Sequence, residues 1–462
     1  MMESPIRVKR NPVLLAAAVW LVMGMQPAAA LSASPGGLTL EEAIALAVGK
    51  NPVLSASRQD RIAADEDRRL ARAAWLPRLD VSETVMRTNN PVSAFGTLLN
   101  QGNFTSGDFD VGRLNHPDAV NNFRSAITLT QPVYNGSRES LGLRLADIGR
   151  EAAEKNEETA RQQLVFSVTR SYFNLVLAKE NRSLAAEAVS IAEADLGQIR
   201  SRFKEGLAVK SDVLRAEVHL AGVREEKINA ENRVRIARAG LMQAIGVDES
   251  VEVSDTLETT QAELPDLDSL KESAEQSRPD FQALKNELDR SAVGLRQARS
   301  GLMPNLNLQG SYEFNNRTLA TDGSDSYTVL AVLNFNLFNG GSDRARIQKA
   351  KAVRQKVGLL VENHRRKIDL EVTEAFLDLS ASRDRIGVRE ESVAQADENL
   401  RIVRNRYQNG MATILDLLTA EHLLSESKNA RIRALYDYRL AWAKLNLAAG
   451  REIGPDAAED RP

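Results

Sequence analysis

Two rhythms of apolar and polar residues alternate along this chain, and each occurs twice. From Arg78 to Val85 every second residue is apolar, with Leu79, Val81 and Val85 on one side and Arg78, Asp80, Ser82 and Thr84 on the other. The alternation returns at Ile127, Leu129 and Val133 and stops at Tyr134-Asn135-Gly136. It returns again where Leu306, Leu308, Tyr312 and Phe314 oppose Asn305, Asn307, Gln309, Ser311 and Glu313, and a last run puts Tyr327, Val329, Ala331, Leu333, Phe335 and Leu337 on one face. A period of two with one apolar face predicts strands. Each is about ten residues long, the length a tilted strand needs to cross a bilayer.

The second rhythm has a period of seven. Val372, Leu379, Ile386, Val393, Leu400 and Tyr407 recur without a slip, and Val168, Leu175, Val189, Leu196 and Phe203 do the same earlier, with Arg182 as the one polar member. No proline or turn cluster interrupts Ser137 to Phe203 or Ser342 to Tyr407. A sustained heptad predicts a packing seam between helices, and about 66 residues at about 1.5 Å each give a rod of about 100 Å. Gly206 and Gly410 are placed to close these rods as left-handed caps, after which the chain returns through Val213 to Gly246 and Ile414 to Gly450. Shorter helices are expected over Leu38 to Lys50 and Val53 to Ala74, the second ended by Pro77.

The halves are copies of one another. Asn51-Pro52 and Leu76-Pro77-Arg78-Leu79 recur as Arg278-Pro279 and Met303-Pro304-Asn305-Leu306 at an offset of 227; Phe203, Gly206, Asp212 and Ala216-Glu217 recur as Tyr407, Gly410, Asp416 and Ala420-Glu421 at an offset of 204. The change places 23 extra residues between Pro77 and Tyr134, in a loop of about Arg87 to Asn122. The expected organisation is a signal peptide (1–30), a first repeat (31–246), an acidic linker packed around the middle of the shaft (247–277), a second repeat (278–450) and a disordered tail (451–462).

Composition narrows the function. Arg7, Lys9 and Arg10 precede an apolar run from Val13 to Met25 and then Ala28-Ala29-Ala30, which reads as an export signal cleaved after Ala30. The formal charge is −3, and the 60 basic residues are scattered, which argues against a nucleic-acid partner. There is no cysteine; His116, His219, His364 and His422 lie far apart in sequence without zinc-ligand spacing; and no glycine-rich phosphate loop follows a strand. Nothing here supports an enzyme, a cofactor or a metal site.

Beyond the signal no apolar run is long enough for a transmembrane helix, so membrane entry would have to be by strands. Four strands cannot close a barrel, and an open sheet edge in lipid costs several kcal/mol per unsatisfied backbone group, so the chain is expected to oligomerise. Two copies would make eight strands filled by side chains, three would make twelve around water, and four sixteen. The polar face of Asn305, Asn307, Gln309 and Ser311 favours three or more. Export of the N-terminus places the helices in the periplasm and the loops near 87–122 and 315–326 outside. Phe95, Phe104 and Phe109 in the extra loop fit either a lipid-interface girdle or packing within the loop.

Several runs together resemble the TolC-type outer membrane efflux proteins over nearly all of the chain after the signal: LTLEEAIALAVGKNP, RPDFQAL with LMPNLNLQG, QPVYNGS and FNGGS at strand-to-helix junctions, and RFKEGLAVKSDVLRAE with RYQNGMATILDLLTAE at the helix turns. The resemblance implies an α+β, mostly helical homotrimer whose twelve-stranded barrel, seated in outer membrane lipid, continues into a periplasmic α-helical tunnel. It implies a passive exit duct for drug efflux or type I secretion, with a periplasmic adaptor and an inner-membrane transporter of RND, ABC or MFS type as partners.

Adaptor docking would fall on Gly206, Leu207 and Ala208 and on Gly410, Met411 and Ala412. A periplasmic gate would map to Asp416 with Thr419 where the family's best-known member has a second aspartate ring, and to Tyr407, Asp212 and Ser211 for bonds between coils; Ala412 stands where that gate has an arginine. Asp416 also follows Thr413 by three, a helix-capping spacing, and Tyr407 also continues an apolar seam. The alternative is a periplasmic coiled-coil adaptor or scaffold that forms no pore.

Overall fold

A computed structural model describes residues 37–257, 263–319 and 323–453, so the expected signal peptide and most of the expected tail lie outside it. Each repeat begins with a helix of 22 residues, α2 (Pro52–Ala73) and later α8 (Pro279–Ser300). Each is preceded by a short helix, α1 (Leu40–Lys50) and α7 (Leu267–Ser277). Proline at the first helical position suits both 22-residue helices, because its fixed φ is helical and its missing N–H would have had no partner there. Asn51 caps α2 by accepting from the Val53 amide at 2.8 Å and donates to the Ala244 carbonyl at 2.9 Å. Arg278 takes the matching position in the second repeat and reaches the Ala448 carbonyl at 3.4 Å, with Asp280 and Glu371 as its ion-pair partners at 2.7 and 2.6 Å.

The rods are 67 residues each, α5 (Arg138–Lys204) and α9 (Ser342–Gln408), and they return as α6 (Lys210–Ile245) and α10 (Ile414–Ala448). Their seams are buried: Val168, Leu175, Val372 and Leu379 are wholly inaccessible, and Ile386, Leu400 and Tyr407 nearly so. The first seam fails at its last member, since Phe203 is 41% exposed where Tyr407 is 7%. Two separate cores result. One, around the middle, joins α1, α7, the 247–257 segment and all four rod helices, with Leu38 bridged to Val253 and the buried Tyr172 hydroxyl donating to the Leu38 carbonyl at 2.8 Å. The other ties the lower ends of α5, α6, α9 and α10 together through Leu196, Ile199, Val213, Leu400, Ile414 and Leu417.

At the opposite end lie β1 (Arg78–Thr88), β2 (Val120–Asn135), β3 (Asn305–Asn316) and β4 (Ser324–Asn334). The two hairpins merge into one antiparallel sheet in the order β1-β2-β3-β4, with a bulge between Pro132 and Tyr134 where the repeats meet. The fold is thus the mixed, mostly helical class. The 87–122 stretch, read as a loop, instead contains α3 (Pro91–Asn100), a 3-10 turn at Ser106–Phe109 and α4 (Val111–Asn115). Asn90 caps α3 as Asn51 caps α2, accepting from the Ser93 amide at 3.1 Å. Phe95, Phe104 and Phe109 stack edge-to-face at 5.0 Å spacings, so they pack against one another within the loop, with Phe109 still 66% exposed.

Candidate functional site

The register of the sheet defines two faces. Val81 lies beside Ile127, Ile127 beside Tyr312 and Tyr312 beside Tyr327; one turn of the pleat away, Leu79, Leu129, Gly310 and Val329 form the next row. These apolar side chains have no cover, with Leu79 64%, Tyr327 78% and Leu333 66% exposed. Toward the loop end Tyr312 and Phe314 pack edge-to-face at 4.9 Å, Phe314 lying in the row of Glu83, Ser125 and Asp325, and the Tyr312 hydroxyl donates to Asp325 at 2.5 Å. At the helix end Trp75, Leu76, Leu302, Met303, Leu337 and Phe338 are all exposed. An apolar band between two such belts is the outer surface of a membrane barrel.

The other face holds Ser82, Thr84, Thr128, Thr130, Asn307, Gln309 and Ser311, with Arg124 paired to Glu313 across β2 and β3. That face suits water. β1 and β4 are edge strands, each with one unpaired side, among the described residues. Open edges in lipid leave N–H and C=O groups unsatisfied, so β4 of one subunit must meet β1 of a sister. No helix among the described residues is long and apolar enough to cross a membrane.

On the polar side the extra loop is pinned over the barrel rim. Gln101, 2% exposed, donates to the Asn121 carbonyl at 2.7 Å and to Asn122 Oδ1 at 2.9 Å, and Asn122 donates to Asn315 at 2.8 Å. A period-based reading had no means of finding Gln101, whose importance comes from strands 20 and 215 residues away.

At the far end both helix turns share one geometry. Gly206 and Gly410 have φ of +75° and +73°, and the following amides, Leu207 and Met411, each bond back to a carbonyl five residues earlier at 2.8 Å. This is the left-handed stop that only glycine adopts without strain. Leu207 and Met411 project into solvent, 65% and 61% exposed, while Ala208 and Ala412 are half-buried.

The residues mapped to a gate divide. Asp416 is exposed and closes a capping box at the start of α10, where its Oδ2 accepts from the Thr413 amide at 2.8 Å and from the Thr413 hydroxyl at 2.7 Å. Those bonds, the backbone one foremost, hold its carboxyl below the ordinary carboxylate range. Thr419, also exposed, lies one turn on and donates to the Leu415 carbonyl at 2.7 Å. Tyr407 is buried beneath the Arg202 guanidinium, 5.3 Å from its ring centre, and Asp212 is near enough to act on it electrostatically. Burial above all raises the Tyr407 hydroxyl's pKa, against the pull of Arg202. Ser211 is exposed beside Asp212.

Sequence reasoning missed a polar cluster inside the lower core. His219 and His422, far apart in sequence, line one cavity of about 90 Å³ together with Glu421, and Asp195 lies buried beside them. The legible sign was Asp195 itself, a carboxylate set into the buried run of Val189, Ala192, Leu196 and Ile199.

An open-edged sheet with an apolar outside, a polar inside and rods of about 100 Å defines the subunit of an oligomeric membrane channel-tunnel. The family model for "Outer membrane efflux protein" matches residues 43–247 and 270–451, and the chain belongs to that family. It is similar to the Outer membrane protein TolC of Vibrio cholerae, with 24% identity over 78% of this chain and 83% of that one. It also resembles the alkaline protease secretion protein AprF of Pseudomonas aeruginosa, with 24% identity over 88% of this chain and 83% of that one. The crystal structure of the Campylobacter jejuni CmeC outer membrane channel matches with a TM-score of 0.77 at 18% identity, covering 89% of this chain and 85% of that one. The protein is therefore an outer membrane export channel with a periplasmic helical tunnel and not an enzyme; the adaptor-like reading without a pore is not favoured.

Proposed function

We propose that this channel is the exit duct of a tripartite machine driven by an inner-membrane transporter of the RND, ABC or MFS type. The adaptor is proposed to dock on the exposed turns Gly206-Leu207-Ala208 and Gly410-Met411-Ala412. The observation that carries this reading is the unsealed four-stranded sheet continued by two 67-residue helices, a shape whose only closed form is a hollow one. The relative named for alkaline protease secretion supports a protein cargo, and the description of the matching family supports efflux.

At the periplasmic entrance the ring-forming carboxylate would be Asp416, whose second oxygen has no hydrogen-bond partner within the described residues of the subunit. Three such carboxylates around an axis would form a single ring, with Thr419 uncharged one turn above, so cation block should be weaker than a two-ring entrance gives. Tyr407, Asp212 and Ser211 would latch the neighbouring coils without an arginine, since position 412 is alanine.

Two variants test these assignments. Gly410→Pro deforms the turn alone, because proline cannot take the positive φ that Gly410 holds. Export should be lost while the barrel still assembles, and normal export would remove the docking role. Asp416→Ala should weaken divalent-cation block in planar bilayers, and unchanged block would leave Asp416 only its cap.

A further inference from the structure

We infer that Asp195 and Glu421 share a single proton, and that this proton clamps the two coils of each subunit together just above the periplasmic entrance. Asp195 stands on α5 and Glu421 on α10, where the first repeat packs against the second. Each lies eleven residues from its own turn glycine, Gly206 or Gly410, which places the pair about 16 Å above the tips. Arg404 on α9 touches both, at 2.7 Å from Glu421 and 4.0 Å from Asp195.

One guanidinium faces two carboxylates, and each carboxylate keeps one buried oxygen, Asp195 Oδ2 and Glu421 Oε2, without a hydrogen-bond partner. Two ionised carboxylates cannot satisfy one another, because both only accept. A proton between them satisfies both oxygens and leaves one negative charge for Arg404, the solution that close carboxylate pairs adopt elsewhere.

Glu187 on α5 is paired with Lys428 on α10 at 3.1 Å. His219 on α6 has its pKa lowered, chiefly by burial, and this outweighs the pull of Asp195. His422, next to Glu421 on α10, adds to that lowering. Among the described residues no group of three or more histidines and carboxylates is placed to hold a metal ion.

Burial first, and the neighbouring Asp195 next, push Glu421 up to about 7 from an ordinary 4.5. An acid whose pKa is raised by packing stabilises the packed form fully below its ordinary value, and that contribution is lost as pH rises through the raised one. The clamp therefore holds in acid and releases above about pH 7.

The test uses the assembled full-length protein. Amide hydrogen exchange, corrected for the intrinsic rate at each pH, should show protection of 189–199 and 414–424 falling about tenfold between about pH 5.5 and 8.5. The fall should be complete near pH 7 and level off above it, and Glu421→Gln and Asp195→Asn should each abolish the step while Glu217→Gln leaves it in place. Channel conductance in planar bilayers should rise over the same interval, and only this second readout rests on the channel reading. Flat wild-type protection, or a step that survives in Glu421→Gln, overturns the shared proton. A step in protection with no change in conductance overturns its link to the entrance.

Discussion

Arg200 with Glu217 and Arg404 with Glu421 are one ion pair built twice, each bonded at 2.7 Å and related by the offset of the duplication, yet their carboxylates are pushed in opposite directions. The Arg200 hydrogen bond, foremost, lowers Glu217, whereas burial and then Asp195 raise Glu421. The first pair is open to solvent, with Glu217 38% exposed; the second has Glu421 at 8%. The position matching Asp195 in the second repeat is Asn399, which is exposed and uncharged. The two copies of the ion pair thus differ in setting: one lies at the surface, and the other is buried with a second carboxylate facing it across the contact of α5 with α10. Phe203 and Tyr407 diverge in the same way, the first half in solvent and the second sealed beneath Arg202.

These contrasts can be broken one residue at a time. Tyr407→Ala should destabilise the lower coils by about 3 kcal/mol, as removal of a buried aromatic does, and Phe203→Ala by less than about 1 kcal/mol. The urea dependence of amide exchange in the 400–424 segment would measure both, and equal effects would mean that the assembled trimer makes the two sites alike. Arg404→Met leaves two buried carboxylates without their cation and should cost about 2 kcal/mol at pH 8. Arg200→Met, in the exposed pair, should cost less than about 1 kcal/mol. The smallest effect concerns the repeat starts. Asn51→Ala removes the α2 cap and should lower stability by about 1 kcal/mol in the same assay, as loss of a single N-cap does.

What was legible in the sequence was whatever has a period. Alternation located the strands because one face meets lipid and the other water, and the heptads located the rods because every seventh residue meets the same neighbouring helix. The turn glycines were legible for a related reason, since a positive φ at the end of a long helix restricts the residue type. The α3 helix was missed although Asn90-Pro91 repeats the Asn51-Pro52 start signal. The Gln101 pin had no local signature, and the Asp195–Glu421 cluster had only Asp195, a carboxylate set into the apolar run of α5. Both arise from contacts between segments about two hundred residues apart, where a carboxylate or an amide in sequence looks like any other solvated side chain. The Thr413–Asp416 spacing was legible as a cap, and the cap is present.

The central claim is that strands left unsealed in one subunit are sealed by sister subunits around water. Native mass spectrometry of the detergent-extracted protein, with the same preparation reconstituted into planar bilayers, tests it most directly. The account predicts a species of three chains that conducts ions. A single chain that stays dispersed without detergent and passes no current would contradict it.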